Sequence, residues 1–319
     1  MELIFLGTSS GAPTRARNLS ATAIKIKNSK NWSLIDCGEG TQQQILKTKL
    51  SLLRLKTICI SHIHGDHCFG LPGLLASASM NGRKEPLNLI APIQVKLFLD
   101  NIQKTLQLDL SFKINFIAIE TLSNHFCDCD FNISITELSH RVPSFAFTFT
   151  EKNIQSNIDT TKLIAAGILP GPSWGKLQQG ENVILENGQT INSDTFLQPR
   201  RKARSIVICG DNDSPELLKT ITPKADVIVH EATFTEKTLK KVGPIAQHTS
   251  ARQIAQFAQQ IQLKNLVLTH FSGRYTMSNK SPSINDIKNE ALQYYSGNLY
   301  LANDFDSYQL DKQGNLFIL

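Results

Sequence analysis

Residues Ser61, His62, Ile63, His64, Gly65, Asp66 and His67 directly follow the apolar run Lys56–Ile60. A short apolar run of this kind reads as a buried strand. Three imidazoles and a carboxylate therefore leave its carboxyl end on one loop, and loops at that end hold ligands in α/β sheets. Imidazole with carboxylate suits borderline divalent metals such as zinc. Four donors exceed what one catalytic site with an open position needs, so the spacing points to two ions. A single histidine beside a strand is ordinarily a packed or surface residue. Three of the chain's 8 histidines within six positions are not explained that way.

The rest of the chain is expected to supply the missing donors. Glu2–Leu6, Ala21–Lys27 and Trp32–Asp36 read as early strands, Thr41–Lys49 as a helix, Phe69–Met80 as a helix after the loop, and Leu87–Ala91 as a strand. A helix over Ile93–Leu106 and a strand over Lys113–Ile119 follow, and Phe131, Ile133 and Ile135 alternate with polar residues as a half-buried strand does. Strands are also expected over Ser205–Cys209, Asp226–Val229 and Leu266–Thr269. Three of these segments end in candidate ligands: His140 beyond Asn132–Leu138, Asp211 beyond Ser205–Cys209 and His270 beyond Leu266–Thr269. A lone Asp or His there is usually a turn or structural residue, but a common strand rim brings all three to the histidine loop.

The set His62, His64, Asp66, His67, His140, Asp211 and His270 can hold two metals. The first is assigned His62, His64 and His140, the second Asp66, His67 and His270, with Asp211 bridging. Two dications outweigh two carboxylates and a hydroxide, leaving a positive site that favours a phosphodiester. His248 stands just before a helix start, with Ser250 and Gln253 as a capping box. That terminus is a candidate phosphate site, and His248 a candidate proton donor to a leaving oxygen. A surface histidine and a plain cap are the alternatives.

Residues 151–204 interrupt the alternation. They contain Gly167, Pro170, Gly171, Pro172, Gly175, Gly180 and Gly188, then a basic run of Arg200, Arg201, Lys202 and Arg204. The segment reads either as a solvated surface insertion or as a mobile arm that neutralises phosphates. The formal net charge of +6 permits a polyanionic partner without requiring one. The six cysteines show no framework spacing, and Cys37, Cys59 and Cys209 read as buried thiols. The chain shows no signal-peptide pattern and no membrane-length apolar run, so a cytoplasmic protein with no membrane partner is expected.

These motifs together resemble the ribonuclease Z (tRNase Z) family, short form, within the metallo-β-lactamase fold. The HxHGDH run, Gly210-Asp211 and His270–Tyr275 match the wider fold family. Pro13–Asn18, after Gly7–Gly11, resembles the ribonuclease Z PxKxRN loop, with Arg15 in place of lysine. Asp36–Gln42 resembles its second signature, and His230–Thr233 its HEAT loop. His248-Thr249-Ser250 resembles the HST loop with the hydroxyl residues exchanged, and Gly167–Gly175 the Gly-Pro-rich exosite arm. Asn212-Asp213 stands where many relatives carry Thr-Arg.

The resemblance implies an α/β fold, a metallo-β-lactamase αββα sandwich forming one domain over 1–319 with an inserted flexible arm at 151–204. It implies two zinc ions per subunit and a homodimer whose arm clamps precursor tRNA bound at the other subunit's site. The implied reaction is endonucleolytic cleavage after the discriminator nucleotide, leaving a tRNA 3′-hydroxyl and a trailer 5′-phosphate. Asp66 is then the general base and His248, supported by Glu231, the general acid. Arg15, Arg17, Asn18, Thr249, Ser250, Gly171 and Pro172 are the implied substrate contacts. Two rival readings are a small-substrate hydrolase of the same superfamily and an RNA-binding protein with a dead site. The Gly-Pro arm argues against the first, and the full ligand set against the second.

Overall fold

Val, Ile and Leu crowd the central strands because those strands are covered on both faces. In Ser205–Cys209, Ile206 and Ile208 face one core and Val207 another. In Asn265–Thr269, Val267 joins the first of these cores, and Leu266 and Leu268 the second. Two large sheets result in this computed structural model, which describes all residues except 123, 124, 153, 155, 186, 187, 199, 200 and 279. One has eight strands in the order Leu316–Ile318, Ser307–Leu310, Glu2–Gly7, Ala21–Lys25, Trp32–Ile35, Leu55–Cys59, Leu87–Ala91, Ile114–Ala118. The other has seven, in the order Asn298–Leu301, Asn265–Thr269, Val227–Glu231, Ser205–Cys209, Ser144–Glu151, Phe131–Leu138, His125–Cys127.

The inner faces share one core that includes Phe5, Ile24, Ile35, Phe131, Phe147, Phe149, Ile208 and Val229. The first sheet's outer face packs on helices Leu71–Met80 and Ile93–Leu106 through Leu71, Leu74, Leu75, Val95 and Leu99. The second sheet's outer face packs on helices Ala251–Gln260 and Ile284–Leu292 through Ile254, Phe257, Ile287 and Ala291. This is the expected helix–sheet–sheet–helix layering. Strands Ser205–Cys209, Val227–Glu231 and Asn265–Thr269 are mutually parallel, so their carboxyl ends share one rim.

The chain forms two compact units, Met1–Thr150 with Arg204–Leu319, and Glu151–Ala203. The second unit carries regular structure where the sequence suggested an irregular break. Helices Thr160–Ala165 and Pro172–Gln178 and the hairpin Val183–Ile184/Thr190–Ile191 surround a small core of Leu163, Ile168, Leu177, Ile191 and Phe196. Asp159 caps the first of these helices by accepting the Lys162 N–H at 3.0 Å, a signal available in the sequence. Of the basic run, Arg201 pairs with Glu151 at 2.7 Å, while Arg200 lies outside the described residues. All six cysteines are free, with Cys37 and Cys59 buried and Cys209 partly so.

Candidate metal centre and catalytic cleft

The histidine loop leaves Leu55–Cys59 at the shared rim, and the later strands deliver the remaining donors to it. His62 Nε2 lies 3.1 Å from His64 Nδ1, and His140 Nε2 lies 3.2 Å from the same atom. Asp211 Oδ2 is 3.7 Å from His62 Nε2 and 3.6 Å from His140 Nε2. On the other side, His67 Nε2 and His270 Nε2 are 3.2 Å apart, with Asp66 Oδ2 at 3.6 and 3.4 Å from them. Asp211 Oδ1 is 3.3 Å from both. The structure brings together the residues of the two candidate ligand sets, Asp211 turns one oxygen to each, and Asp211, His248 and His270 form a third close grouping.

The spacing fits a metal. Tetrahedral zinc with bonds of 2.0–2.1 Å places neighbouring donors about 3.3 Å apart. The tautomers fit as well. His140 Nδ1 donates to the Gln247 carbonyl at 2.8 Å, and His67 Nδ1 donates to Asp36 Oδ2 at 2.7 Å. Ser61 Oγ donates to the same Asp36 oxygen at 2.9 Å and lies 3.0 Å from His62 Nδ1. Thr233 Oγ1 donates to Glu231 and receives His270 Nδ1 at 3.0 Å. With their outer nitrogens protonated, these imidazoles turn lone pairs inward, and lone pairs at such distances repel unless a cation lies between them. Burial opposes charge on His67, yet Asp211, Asp36 and Asp66 raise its pKa well above the ordinary value. On the other side burial pushes His62, His64 and His140 down, toward the neutral imidazoles that offer lone pairs.

The backbone is committed to this arrangement. Asp36 and His270 both sit in the left-handed region, with φ of 59° and 57°. A non-glycine residue there is held by its surroundings, and such positions cluster at functional sites. Gly210 lets the strand end beside Asp211 press against the loop, since a Cβ there would lie 2.5 Å from Ser61 Cβ.

His248 stands beside this centre. Its Nδ1 lies 3.1 Å from Glu231 Oε2 and 3.7 Å from Asp211 Oδ2. Burial disfavours the imidazolium, but Glu231 more than offsets it and pushes His248 up to about 9. Glu231 is buried and held by the Asn212 N–H at 2.8 Å and by the Thr233 hydroxyl. His64, Asp66, Asp211 and His248 open onto one cleft of about 440 Å³, with Arg141, Phe69, Leu19 and Pro13 on its walls.

Comparison with known proteins gives this arrangement a family. The ribonuclease Z of Marinobacter nauticus is 49% identical over 99% of this chain and 98% of its own. The ribonuclease Z of Prochlorococcus marinus is 38% identical over 98% of this chain and 100% of its own. The chain belongs to the ribonuclease Z family. Human tRNase Z, short form, superposes with a TM-score of 0.66 at 26% identity, covering 98% of this chain and 100% of that one. A metallo-β-lactamase fold protein from Bacillus subtilis, YhfI, gives the same TM-score at 15% identity over 96% of this chain and 98% of its own, which speaks for the fold. Residues 1–165 also fall in the family described as Anti-Pycsar protein Apyc1. That match holds the histidine loop and His140 but none of Asp211, Glu231, His248 and His270.

The substrate contacts implied by the ribonuclease Z loops fare unevenly. Arg15 is exposed. Arg17 is not brought to the cleft: it is 4% exposed, its guanidinium donates to Thr8 Oγ1, the Ala302 carbonyl and Asn303 Oδ1, and it stacks over Phe271. Asn18 spans the Glu39 carbonyl and the Asp304 carboxylate. Thr249 is buried and donates to the Asn212 carbonyl. Ser250 is fully committed as a helix cap, exchanging bonds with Gln253 and donating to Glu236 at 2.9 Å. The caps and that carboxylate leave the helix terminus poorly suited to a phosphate. Gly171 and Pro172 open the helix Pro172–Gln178 in the other unit.

Asn212 follows Asp211 directly. It is buried, its amide meets His230 Nε2 at 3.0 Å, and its carbonyl oxygen receives the Ser139 and Ser214 N–H groups. Asp36, Ser61, Thr233 and Gln247 orient ligands, and sequence reading assigned none of them that part. Arg141, directly after the candidate ligand His140, also lines the cleft.

Proposed function

We propose that the chain is a two-zinc endoribonuclease that cuts 3′-extended tRNA precursors after the discriminator nucleotide, leaving a 3′-hydroxyl on the tRNA and a 5′-phosphate on the trailer. The observation that carries this reading is Asp211, whose two oxygens face two separate imidazole sets, with the charged pair His248–Glu231 beside it. His62, His64 and His140 would hold one ion and Asp66, His67 and His270 the other, with Asp211 offering an oxygen to each set. Divalent ions there supply Lewis acidity toward a phosphodiester and acidify water.

The chain's own groups complete the chemistry. Asp66 is anchored by the Gly11 N–H at 2.7 Å. Against its burial, His67 and His270 hold its carboxyl well below the usual carboxylate range. It is ionised at neutral pH, and its position beside the candidate ligands His67 and His270 is what assigns it the proton of the attacking water. His248, kept protonated by Glu231, donates its proton to the departing 3′-oxygen. Arg141 places positive charge on the cleft wall, where it meets the substrate backbone.

The 151–204 segment serves as the tRNA-gripping arm, and two subunits pair so that each arm serves its partner's site. Cytoplasmic residence accords with six free cysteines and with the absence, among the described residues, of any helix long and apolar enough to cross a membrane. The test is incubation with a 3′-extended tRNA precursor, with and without chelator, mapping the cut to the nucleotide. Deleting residues 155–195 separates this reading from a small-substrate phosphodiesterase. Loss of tRNA cleavage with retained bis(p-nitrophenyl) phosphate turnover supports tRNA processing, and unchanged tRNA cleavage counts against it.

A further inference from the structure

Phe69 has no place in the mechanism above and contributes to none of the apolar cores. It is 59% exposed, although it follows the histidine loop by two residues and lines the same cleft as His64, Asp66 and His248. An isolated exposed apolar side chain needs no explanation. This one is held in place. Its ring lies so close to Gly65 that a Cβ there would meet Phe69 Cε2 at 2.3 Å, so the absence of a side chain between His64 and Asp66 lets the ring rest on the loop. Phe98 backs it from the helix Ile93–Leu106 in a stacked arrangement, with centroids 6.0 Å apart and planes at 27°. The result is an ordered aromatic surface at the mouth of the site, beside the backbone that carries two candidate ligands.

We propose that Phe69 is a stacking platform for the base of the first trailer nucleotide, immediately 3′ of the cut. The inference rests on the endoribonuclease reading and adds to it the placement of the substrate strand. If His248 protonates the departing 3′-oxygen, the tRNA's last nucleotide lies on the His248 side of the cleft. The trailer then leaves past the loop 64–69. An aromatic face suits this position because every base has a π-face, so stacking grips a trailer without reading its sequence. Proline and leucine neighbours, Pro13 and Leu19, keep the same cleft partly apolar, as an unpaired base requires.

The test is a double-mutant cycle between enzyme and substrate. Wild type and Phe69→Ala are assayed on a 3′-extended tRNA precursor with an intact or abasic first trailer nucleotide, and separately with an abasic discriminator. Loss of a base–aromatic stack is expected to lower kcat/KM about 5- to 150-fold, chiefly through KM, and Phe69→Trp is expected to restore it. With the trailer base removed, wild type and Phe69→Ala are expected to cut equally well. Additive effects, or coupling to the discriminator base instead, overturn the proposal. So does a loss accompanied by changed metal content, melting temperature or sedimentation, which assigns Phe69 a structural or subunit-contact part. If wild type fails to cut the intact precursor, the endoribonuclease reading itself fails, a result distinct from all of these.

Discussion

Asp36→Asn isolates the support of the metal centre from its ligands. Asp36 touches no reacting atom, yet it accepts three hydrogen bonds: the Ser61 N–H at 2.7 Å, the Ser61 hydroxyl at 2.9 Å and His67 Nδ1 at 2.7 Å. Asparagine keeps its shape and tolerates the left-handed φ of 59° at least as well, so the backbone has no reason to move. The amide oxygen is needed by the Ser61 N–H, which leaves the NH2 facing His67 Nδ1. Two donors then oppose each other. The imidazole relieves the conflict by shifting its proton to Nε2, the atom that faces His270 and Asp211. That atom can no longer ligate. Partners that orient metal-bound histidines are worth about 10- to 100-fold in metal affinity or activity, or about 1.4–2.7 kcal/mol. The expected outcome is weaker zinc binding by that factor in a competitive chelator titration, with the loss concentrated in one of two binding steps. Excess metal should recover part of the activity. Unchanged affinity for both ions would refute the tautomer argument.

Other expectations concern the acid, the ligands, the rim and the packing. The proton on His248 must be present for it to act, so kcat should fall as pH rises through about 9. In Glu231→Gln the main charge that raises this value is gone while burial remains, so the basic limb of the kcat profile should move to lower pH; an unmoved limb would count against His248 as the acid. His64→Ala removes a donor shared by two short contacts, and is expected to lose bound metal and cleavage while tRNA binding largely persists in a filter assay. Arg141→Ala should weaken precursor binding and lower the slope of log K against log salt by about 0.7, the value for one contact to single-stranded phosphate. Gly210→Ala forces a Cβ to 2.5 Å from Ser61 and should cost about 1–3 kcal/mol of stability in urea unfolding.

The candidate ligands are legible because each is a chemically distinctive side chain at or just beyond a strand end. Period-2 and continuous apolar runs located the strands, and the rule about carboxyl ends located the rim. The strand Ser144–Glu151 carries an equally clear pattern, since Phe145, Phe147 and Phe149 alternate with smaller residues. The residues that orient the ligands leave a much weaker trace. The pairs Asp36–His67 and Thr233–His270 are 31 and 37 residues apart. The group that fixes His140 is a backbone carbonyl, 107 residues away at Gln247. A carbonyl is present at every position, so no composition or spacing can single it out.

Three of the implied substrate contacts are turned inward. Arg17, Thr249 and Ser250 belong to loops that resemble substrate-contacting signatures, but each spends its polar atoms inside the protein. A signature records which side chains a loop requires, and a loop beside a metal centre requires some of them to hold its own shape. Arg17 illustrates the point. Burial lowers its pKa, and Asp304 and Asp306 act against that shift to keep the guanidinium charged. Asp304 also receives the Asn18 N–H and the Thr8 hydroxyl, which links both ends of the loop to residues near the end of the chain. The cation Arg17 of this loop is thus committed inside the fold, near Asp304 and Asp306. Arg141 lines the cleft wall, and Arg15 is exposed on the loop that holds Arg17.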